Sequence, residues 1–196
     1  MIRNKIEAEA LSLLTKQKLS GSMALYFLDL RHIVTNGRAL ISSISDYEKS
    51  TGKTLPFRPE GFTVSKGETS LIFYDDKISS KERRNWTIAH ELGHIYLSHS
   101  SDGKREQKEA NQFAASLLMP EEVVAFLDCS LGREITPLEM TKYFSASLTA
   151  CKKRRIELNS REIISTEKGN ELIKRLFSPE ISKMDEHTYN FEKSVL

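Results

Sequence analysis

The spacing of apolar residues along the chain predicts a mostly helical protein. In a central segment, Ile88, Leu92 and Ile95 recur three or four positions apart, which places them on one face of an α-helix. Ser79 and Glu82 form a capping-box pattern that marks the start of this helix. The central helix is predicted over residues 80–99, and other helical or apolar-periodic segments over residues 2–19, 23–33, 104–118, 137–144, 148–158 and 162–177, with a further helix starting at Pro120.

Short β-rich runs precede the central helix. Residues 39–44 are predicted to form a strand, residues 49–59 a loop, and residues 61–64 and 70–74 a hairpin with a short turn at Gly67. Strands placed just before such a helix commonly form one wall of a cleft, where an extended peptide can pair with an edge strand. The predicted fold class is α+β, with a small β-sheet packed on the central helix and additional C-terminal helices.

Composition and charge are those of an ordinary soluble chain. The 196 residues are enough to bury a real core, and a net charge of +2 favours neither an acidic nor a basic partner. No apolar run approaches the ~18 residues that cross a bilayer, and Glu7 and Glu9 interrupt the first apolar stretch, so we expect no membrane partner and no signal peptide. Cys129 and Cys151 show no paired-ligand spacing, which favours a reducing, cytoplasmic location.

The chemistry-bearing residues are concentrated in the central helix, which contains the pattern His-Glu-x-x-His. His90 and His94 lie four positions apart on one helix face, so both imidazoles can reach one zinc ion at roughly 2.0–2.1 Å. Glu91 lies about 100° round the helix, where it can take a proton from a water on the metal. Gly93 inside the helix predicts a close approach by another backbone. The alternative is a buried helix with two hydrogen-bonded core histidines and no metal, and the motif together with its helical context favours the metal site.

A catalytic zinc needs a third protein ligand, and the helix over residues 104–118 is the nearest donor because it can fold back antiparallel. The sequences HELGH at residues 90–94 and EANQFAASLLMP at residues 109–120 strongly resemble the ImmA/IrrE family of bacterial zinc metallopeptidases. A less distinct resemblance extends over residues 20–158. It implies a zincin-like core, a zinc held by two histidines and a glutamate, and Glu91 as general base. The implied substrate is a helix-turn-helix transcriptional repressor whose cleavage derepresses mobile-element or stress genes.

One position departs from the family pattern. The family's ligand glutamate stands four residues before Asn111, where this chain has Gln107. A neutral amide is a weaker zinc ligand than a carboxylate, so we expect a slow or conditional peptidase that loses zinc readily. As third ligand we rank Gln107 first, Glu106 second and Glu109 third, since the two glutamates lie ~100° and ~200° round the helix from Gln107.

Two further side chains are expected to support the site. Asn111, one turn beyond Gln107, is placed to hydrogen-bond a ligand histidine. His99 follows His94 by five residues with no glycine between them, whereas a third metzincin ligand follows by six with a glycine. We therefore expect His99 to hydrogen-bond a ligand or to lie at the surface.

The resemblance also predicts a domain organisation: a zincin-like metallopeptidase domain over residues 1–130, a helical extension over 131–160, and a C-terminal helix with a polar tail over 161–196. The extension has a helix-turn-helix outline, and its 148–158 helix carries four consecutive cations. Such a run is usually a solvated face and the turn lacks glycine, so we do not expect direct nucleic-acid binding. A second alternative is a zincin-fold regulatory or interaction protein that has lost hydrolysis, which Gln107 favours and the retained His-Glu-x-x-His pattern disfavours.

Overall fold

The computed structural model describes residues 2–17, 19, 28–144, 146–163 and 165–181. The apolar segment predicted over residues 23–33 lies outside these residues as far as residue 27, and so does the polar tail after residue 181. Within the described residues the chain forms eight α-helices, one turn of 3-10 helix and a three-stranded sheet. The predicted α+β class is therefore confirmed.

The sheet lies early in the chain and helices follow it. Its strands are β1 (Ala39–Ser43), β2 (Gly61–Lys66) and β3 (Thr69–Tyr74). The 3-10 turn is Leu30–His32. The α-helices are α1 (Ile2–Leu14), α2 (Ile44–Thr51), α3 (Lys81–Tyr96), α4 (Lys104–Leu118), α5 (Glu121–Leu131), α6 (Pro137–Tyr143), α7 (Leu148–Asn159) and α8 (Glu167–Ile181).

The described residues divide into two compact units. The first contains residues 1–9 and 29–114, and with them the whole sheet and the central helix α3. The second contains residues 10–28 and 115–196, as far as they are described. The division into residues 1–130, 131–160 and 161–196 stays a prediction. No helix in the described part of the chain is long and apolar enough to cross a membrane.

The sheet places β3 in the middle and β2 at an edge. β1 runs parallel to β3, whereas β2 pairs antiparallel with β3 and puts Phe62 opposite Phe73, so the predicted hairpin is confirmed. Helix α3 packs on β2 and β3. A Cβ atom at Gly61 would lie 2.4 Å from Cγ2 of Thr87. Glycine at this position therefore lets the edge strand approach the helix closely.

Helices α3 and α4 also approach closely. A Cβ atom at Gly93 would lie 2.9 Å from the Cα atom of Ala110 and 3.0 Å from its carbonyl oxygen. The predicted close approach of another backbone is thereby confirmed. Behind this contact, Ile88 and Leu92 of α3 are fully buried, as their spacing predicts.

Helix α2 was not predicted, and its presence corrects two bounds. Ile44 begins this helix rather than ending a strand, because Ser43 accepts a hydrogen bond on Oγ from the backbone N–H of Asp46. Residues 49–51 are helical rather than part of a loop. The helix ends at Gly52, which adopts a left-handed conformation with φ of 67°.

Other element ends differ from the prediction for similar local reasons. Ser80 rather than Ser79 caps α3, since its Oγ accepts from the N–H of Arg83, and α3 ends at residue 96 rather than 99. Helix α1 ends at Leu14 rather than at residue 19, because the N–H groups of Lys16 and Gln17 donate to carbonyls only three residues back. Helix α8 begins at residue 167 rather than 162, because the side chain of Thr166 accepts from the N–H of Gly169.

In the second unit, two of the four consecutive cations of α7, at residues 152–155, are buried and hold other parts of this unit. Arg154 is only 1% exposed, and its Nε donates to the carbonyl of Met119 at 3.0 Å. Arg155 is also buried and pairs with Asp128, with Nη1 2.8 Å from Oδ2. Lys152 and Lys153 are therefore the two exposed cations of the four, and the helix offers a much smaller basic surface than its sequence suggests.

Candidate metal centre

The two histidines of α3 have their ring nitrogens at a spacing that suits one metal ion. Nε2 of His90 lies 3.1 Å from Nε2 of His94, and the ring planes are inclined at 66°. Two ligands bound tetrahedrally to zinc at ~2.0–2.1 Å lie about 3.3–3.4 Å apart. The observed separation is close to that value, so both nitrogens can bind one zinc with small adjustments of their side chains.

Helix α4 brings a third donor to the same place. The side-chain amide nitrogen Nε2 of Gln107 lies 3.5 Å from Nε2 of His94. Rotation by 180° about the last side-chain bond exchanges amide nitrogen and oxygen, so the oxygen can occupy this position. Among the described residues no group of three or more His, Cys, Asp or Glu side chains is arranged to hold a metal. The arrangement here consists of two imidazoles and a neutral amide, which satisfies zinc in ligand number but provides no anion.

The two lower-ranked candidates for the third ligand make other contacts. The carboxylate of Glu109 makes two contacts, with Oε2 3.1 Å from Nε2 of His99 and Oε1 accepting from Nε of Arg105 at 2.8 Å. The Arg105 guanidinium holds the pKa of Glu109 below its usual range. The carboxylate of Glu106 folds back against the backbone, since a Cβ atom at Gly103 would lie 2.4 Å from its Oε2.

The histidine rings are held from behind by polar side chains. Nδ1 of His90 lies 3.2 Å from Oδ1 of Asn111, whose Nδ2 donates to the carbonyl of Gln107 at 2.8 Å. Nδ1 of His94 lies 3.2 Å from Nδ1 of His99. Asn111 is thus within hydrogen-bond distance of His90, and His99 of His94, while their roles at a metal centre stay predictions.

The surroundings of His94 favour the neutral form of its imidazole. Its side chain is only 12% exposed, and burial lowers its pKa, with further lowering from the nearby imidazoles of His90 and His99 that outweighs the opposing charges of Asp102 and Glu106. A neutral imidazole keeps a lone pair on one nitrogen, which is the form that binds a metal.

Glu91 is oriented by a residue that the sequence analysis did not identify. Its Oε2 accepts a hydrogen bond of 2.6 Å from Oγ1 of Thr63, on the edge strand β2. Side chains alternate between the faces of a strand, so Thr63 shares the face of Gly61, which lies against α3. A small hydroxyl residue two positions after this glycine was the available signal, but only the strand–helix packing shows which carboxylate it meets.

A comparison with known protein families identifies the family of this chain. A family model described as Peptidase_M78, IrrE N-terminal-like domain, matches residues 43–155. No curated protein and no solved structure matches the chain. The matched residues cover more than half of the chain and include α3, α4 and both strands of the hairpin. The chain belongs to the peptidase family of the IrrE N-terminal-like domain.

Proposed function

We propose that this protein is a zinc-dependent endopeptidase in which His90, His94 and Gln107 hold the metal and Glu91 is the general base. The main support is that these three side chains meet at one place. Nε2 of His94 lies 3.1 Å from Nε2 of His90 and 3.5 Å from the amide nitrogen of Gln107. Membership of a peptidase family supports a protein substrate. Glu91 follows the first histidine directly, on the same helix and beside the metal position.

In this mechanism the protein groups orient the reactants and move one proton. Zinc, when bound, supplies a Lewis acid for the peptide carbonyl and for water. Glu91 takes the proton of the attacking water and then delivers it to the leaving amine. The Thr63 hydroxyl occupies one carboxylate oxygen of Glu91 and leaves the other oxygen for the water. Asn111 and His99 fix the rings of the two histidines from behind.

The edge strand β2 is the proposed docking place for the scissile segment. β2 pairs with β3 on one side, and its outer side belongs to the edge of the three-stranded sheet. An extended peptide added there gains main-chain hydrogen bonds, which require no particular sequence. Because Thr63 of the same strand contacts Glu91, a peptide bound along β2 lies next to the general base.

The substrate that we propose is a helix-turn-helix transcriptional repressor in the cytoplasm. This part of the proposal rests on the family, whose members act on such repressors. Cleavage of the repressor would then derepress mobile-element or stress genes. The substrate class needs its own test, separate from the chemistry of the centre.

Co-expression with a helix-turn-helix repressor encoded beside its gene tests the proposal. We expect a discrete shorter repressor fragment with the wild-type protein and intact repressor with the Glu91→Gln variant. Zinc content is measured on both purified proteins, and we expect it to be equal because Glu91 is not a ligand. An intact repressor under inducing conditions would exclude this substrate. Absence of stoichiometric zinc from the wild-type protein would exclude the metal centre.

One observation favours a second candidate, a regulatory protein of the same fold that has lost hydrolysis. The ligand set contains the neutral amide of Gln107 and no carboxylate, which weakens a metal site. In that case the repressor binds to the protein and copurifies with it uncut. The co-expression experiment separates the two candidates, because it yields either a fragment or an intact complex.

A further inference from the structure

A row of hydrogen bonds connects the back of His94 with a carboxylate on α4. Nδ1 of His94 lies 3.2 Å from Nδ1 of His99, and Nε2 of His99 lies 3.1 Å from Oε2 of Glu109. The other oxygen of Glu109 accepts from Nε of Arg105 at 2.8 Å. The His99 and Glu109 side chains are only 6% and 18% exposed, so water competes little for these bonds.

The local backbone brings His99 into this row. Ser98 adopts a left-handed conformation with φ of 56°, which is uncommon for a residue with a side chain. The chain therefore turns back after α3, and the N–H of His99 donates to the carbonyl of His94 at 2.9 Å. This turn is the usual end of a helix with serine in the place of glycine. Its effect is to place the imidazole of His99 against the imidazole of His94.

Metal binding at Nε2 of His94 determines the position of every proton in the row. A ligand nitrogen gives its lone pair to the metal, so the proton of a neutral His94 must be on Nδ1. Nδ1 then donates to Nδ1 of His99, which must carry its own proton on Nε2. That proton is donated to Glu109, which as a carboxylate only accepts. All donors therefore meet acceptors with both imidazoles neutral.

We propose that Glu109, acting through His99, positions His94 for metal binding. This inference rests on the proposed function, since it concerns the same centre. Glu109 and His99 are positioning residues, because neither is placed to touch the metal or the substrate. Outer hydrogen-bond partners of this kind raise the basicity of a ligand histidine and fix its ring orientation.

Asp102 provides a matched control. Its Oδ1 lies 3.8 Å from Nδ1 of His94, which is beyond hydrogen-bond distance, and its side chain is 86% exposed. It therefore offers a negative charge near the same ring nitrogen without the link through His99. If charge near His94 were sufficient, the loss of Asp102 would weaken metal binding as much as the loss of Glu109.

The test is the zinc affinity of the full chain, measured by competition with a chromophoric chelator. We expect Glu109→Ala and His99→Phe to bind zinc about 10–100-fold more weakly than wild type. Glu109→Gln keeps an acceptor for His99 but loses the charge, so its affinity should lie between those of Glu109→Ala and wild type. Asp102→Asn should change the affinity about 3-fold or less, as is typical of an exposed charge.

Two further measurements separate positioning from a general loss of structure. Thermal unfolding of the chelator-treated proteins should differ little between Glu109→Gln and wild type, since the two side chains have the same shape. In the zinc-loaded wild type, nitrogen chemical shifts should show the proton of His94 on Nδ1 and that of His99 on Nε2. The opposite arrangement for His99 would overturn the inference.

The outcomes also distinguish this inference from the proposed function. If wild type holds no zinc, or if His90→Ala holds it equally well, both are wrong. If wild type holds zinc through His90 but Glu109→Ala binds it as tightly, only the inference about Glu109 is wrong. An equal loss in Asp102→Asn and Glu109→Ala would also refute the role of His99 as the link.

Discussion

The Gln107→Glu substitution is the most informative change at the proposed metal centre. The two side chains have nearly the same shape, and the amide of Gln107 already lies 3.5 Å from Nε2 of His94. The substitution therefore replaces a neutral ligand by an anionic one without rebuilding α4. A ligand that carries charge contributes more to zinc binding than an outer partner does, so the gain should reach at least the ~10–100-fold typical of outer partners.

This gain has a corresponding effect on stability. Each tenfold change in affinity corresponds to about 1.4 kcal/mol, so the variant should bind zinc more tightly by at least about 1.4–2.8 kcal/mol. With zinc in large excess, the free energy of unfolding rises by nearly the same amount relative to wild type. Without zinc the variant should be no more stable, because the added carboxylate then lacks the metal.

Chelator competition and zinc-dependent thermal unfolding measure both quantities. Lys108→Gln is the control, because it changes the net charge of the protein by the same single unit at the next, exposed position of α4. That control should leave zinc affinity within about 3-fold of wild type. If Gln107→Glu binds zinc no more tightly than wild type, Gln107 is not the third ligand and the metal centre has another composition. Faster repressor cleavage by Gln107→Glu would show in addition that the neutral amide limits the rate of cleavage by the wild-type protein.

Three further variants test separate parts of the proposal. Glu91→Gln should abolish cleavage but retain zinc and thermal stability, and a loss of zinc comparable to that of His90→Ala would show another role for Glu91. Thr63→Val should lower kcat by about tenfold, the size of a hydrogen bond to a charged group, with unchanged zinc content; an unchanged kcat would refute its orienting role. Gly93→Ala should lower the free energy of unfolding by about 1–3 kcal/mol despite the better helix propensity of alanine, because its Cβ would lie 2.9 Å from the Cα atom of Ala110; equal denaturant midpoints would contradict this.

Local patterns in the sequence predict helix α4 with its observed bounds, and the cap of α6 has an equally local origin. The pattern Thr136-x-x-Glu139 forms a complete capping box, because it depends only on residues three positions apart. Helix α2 was missed because it is only eight residues long and lacks the apolar repeat on which the prediction relied. Its start depends on a single serine cap, and serine is also common in strands and loops.

The side-chain contacts of the candidate site likewise fall into two groups, those that local spacing predicts and those that it does not. His90, His94 and Asn111 follow from helical spacing and from the antiparallel return of α4, so the sequence placed them near one another before the structure did. The contact of Thr63 with Glu91 and that of Glu109 with His99 could not be predicted in this manner. The first depends on the register of a strand against a helix, and the second on a turn at Ser98 with an uncommon backbone conformation.

The basic run on α7 shows why charge in a sequence is a weaker guide than spacing. Four consecutive cations occupy all sides of a helix, since successive residues are about 100° apart. A helix packed on one side must therefore bury some of them, and Arg154 and Arg155 are buried with carbonyl and carboxylate partners. Arginine suits this use because its planar group donates in several directions at once. The run thus stabilises the second unit internally, and Lys152 and Lys153 are its two exposed cations.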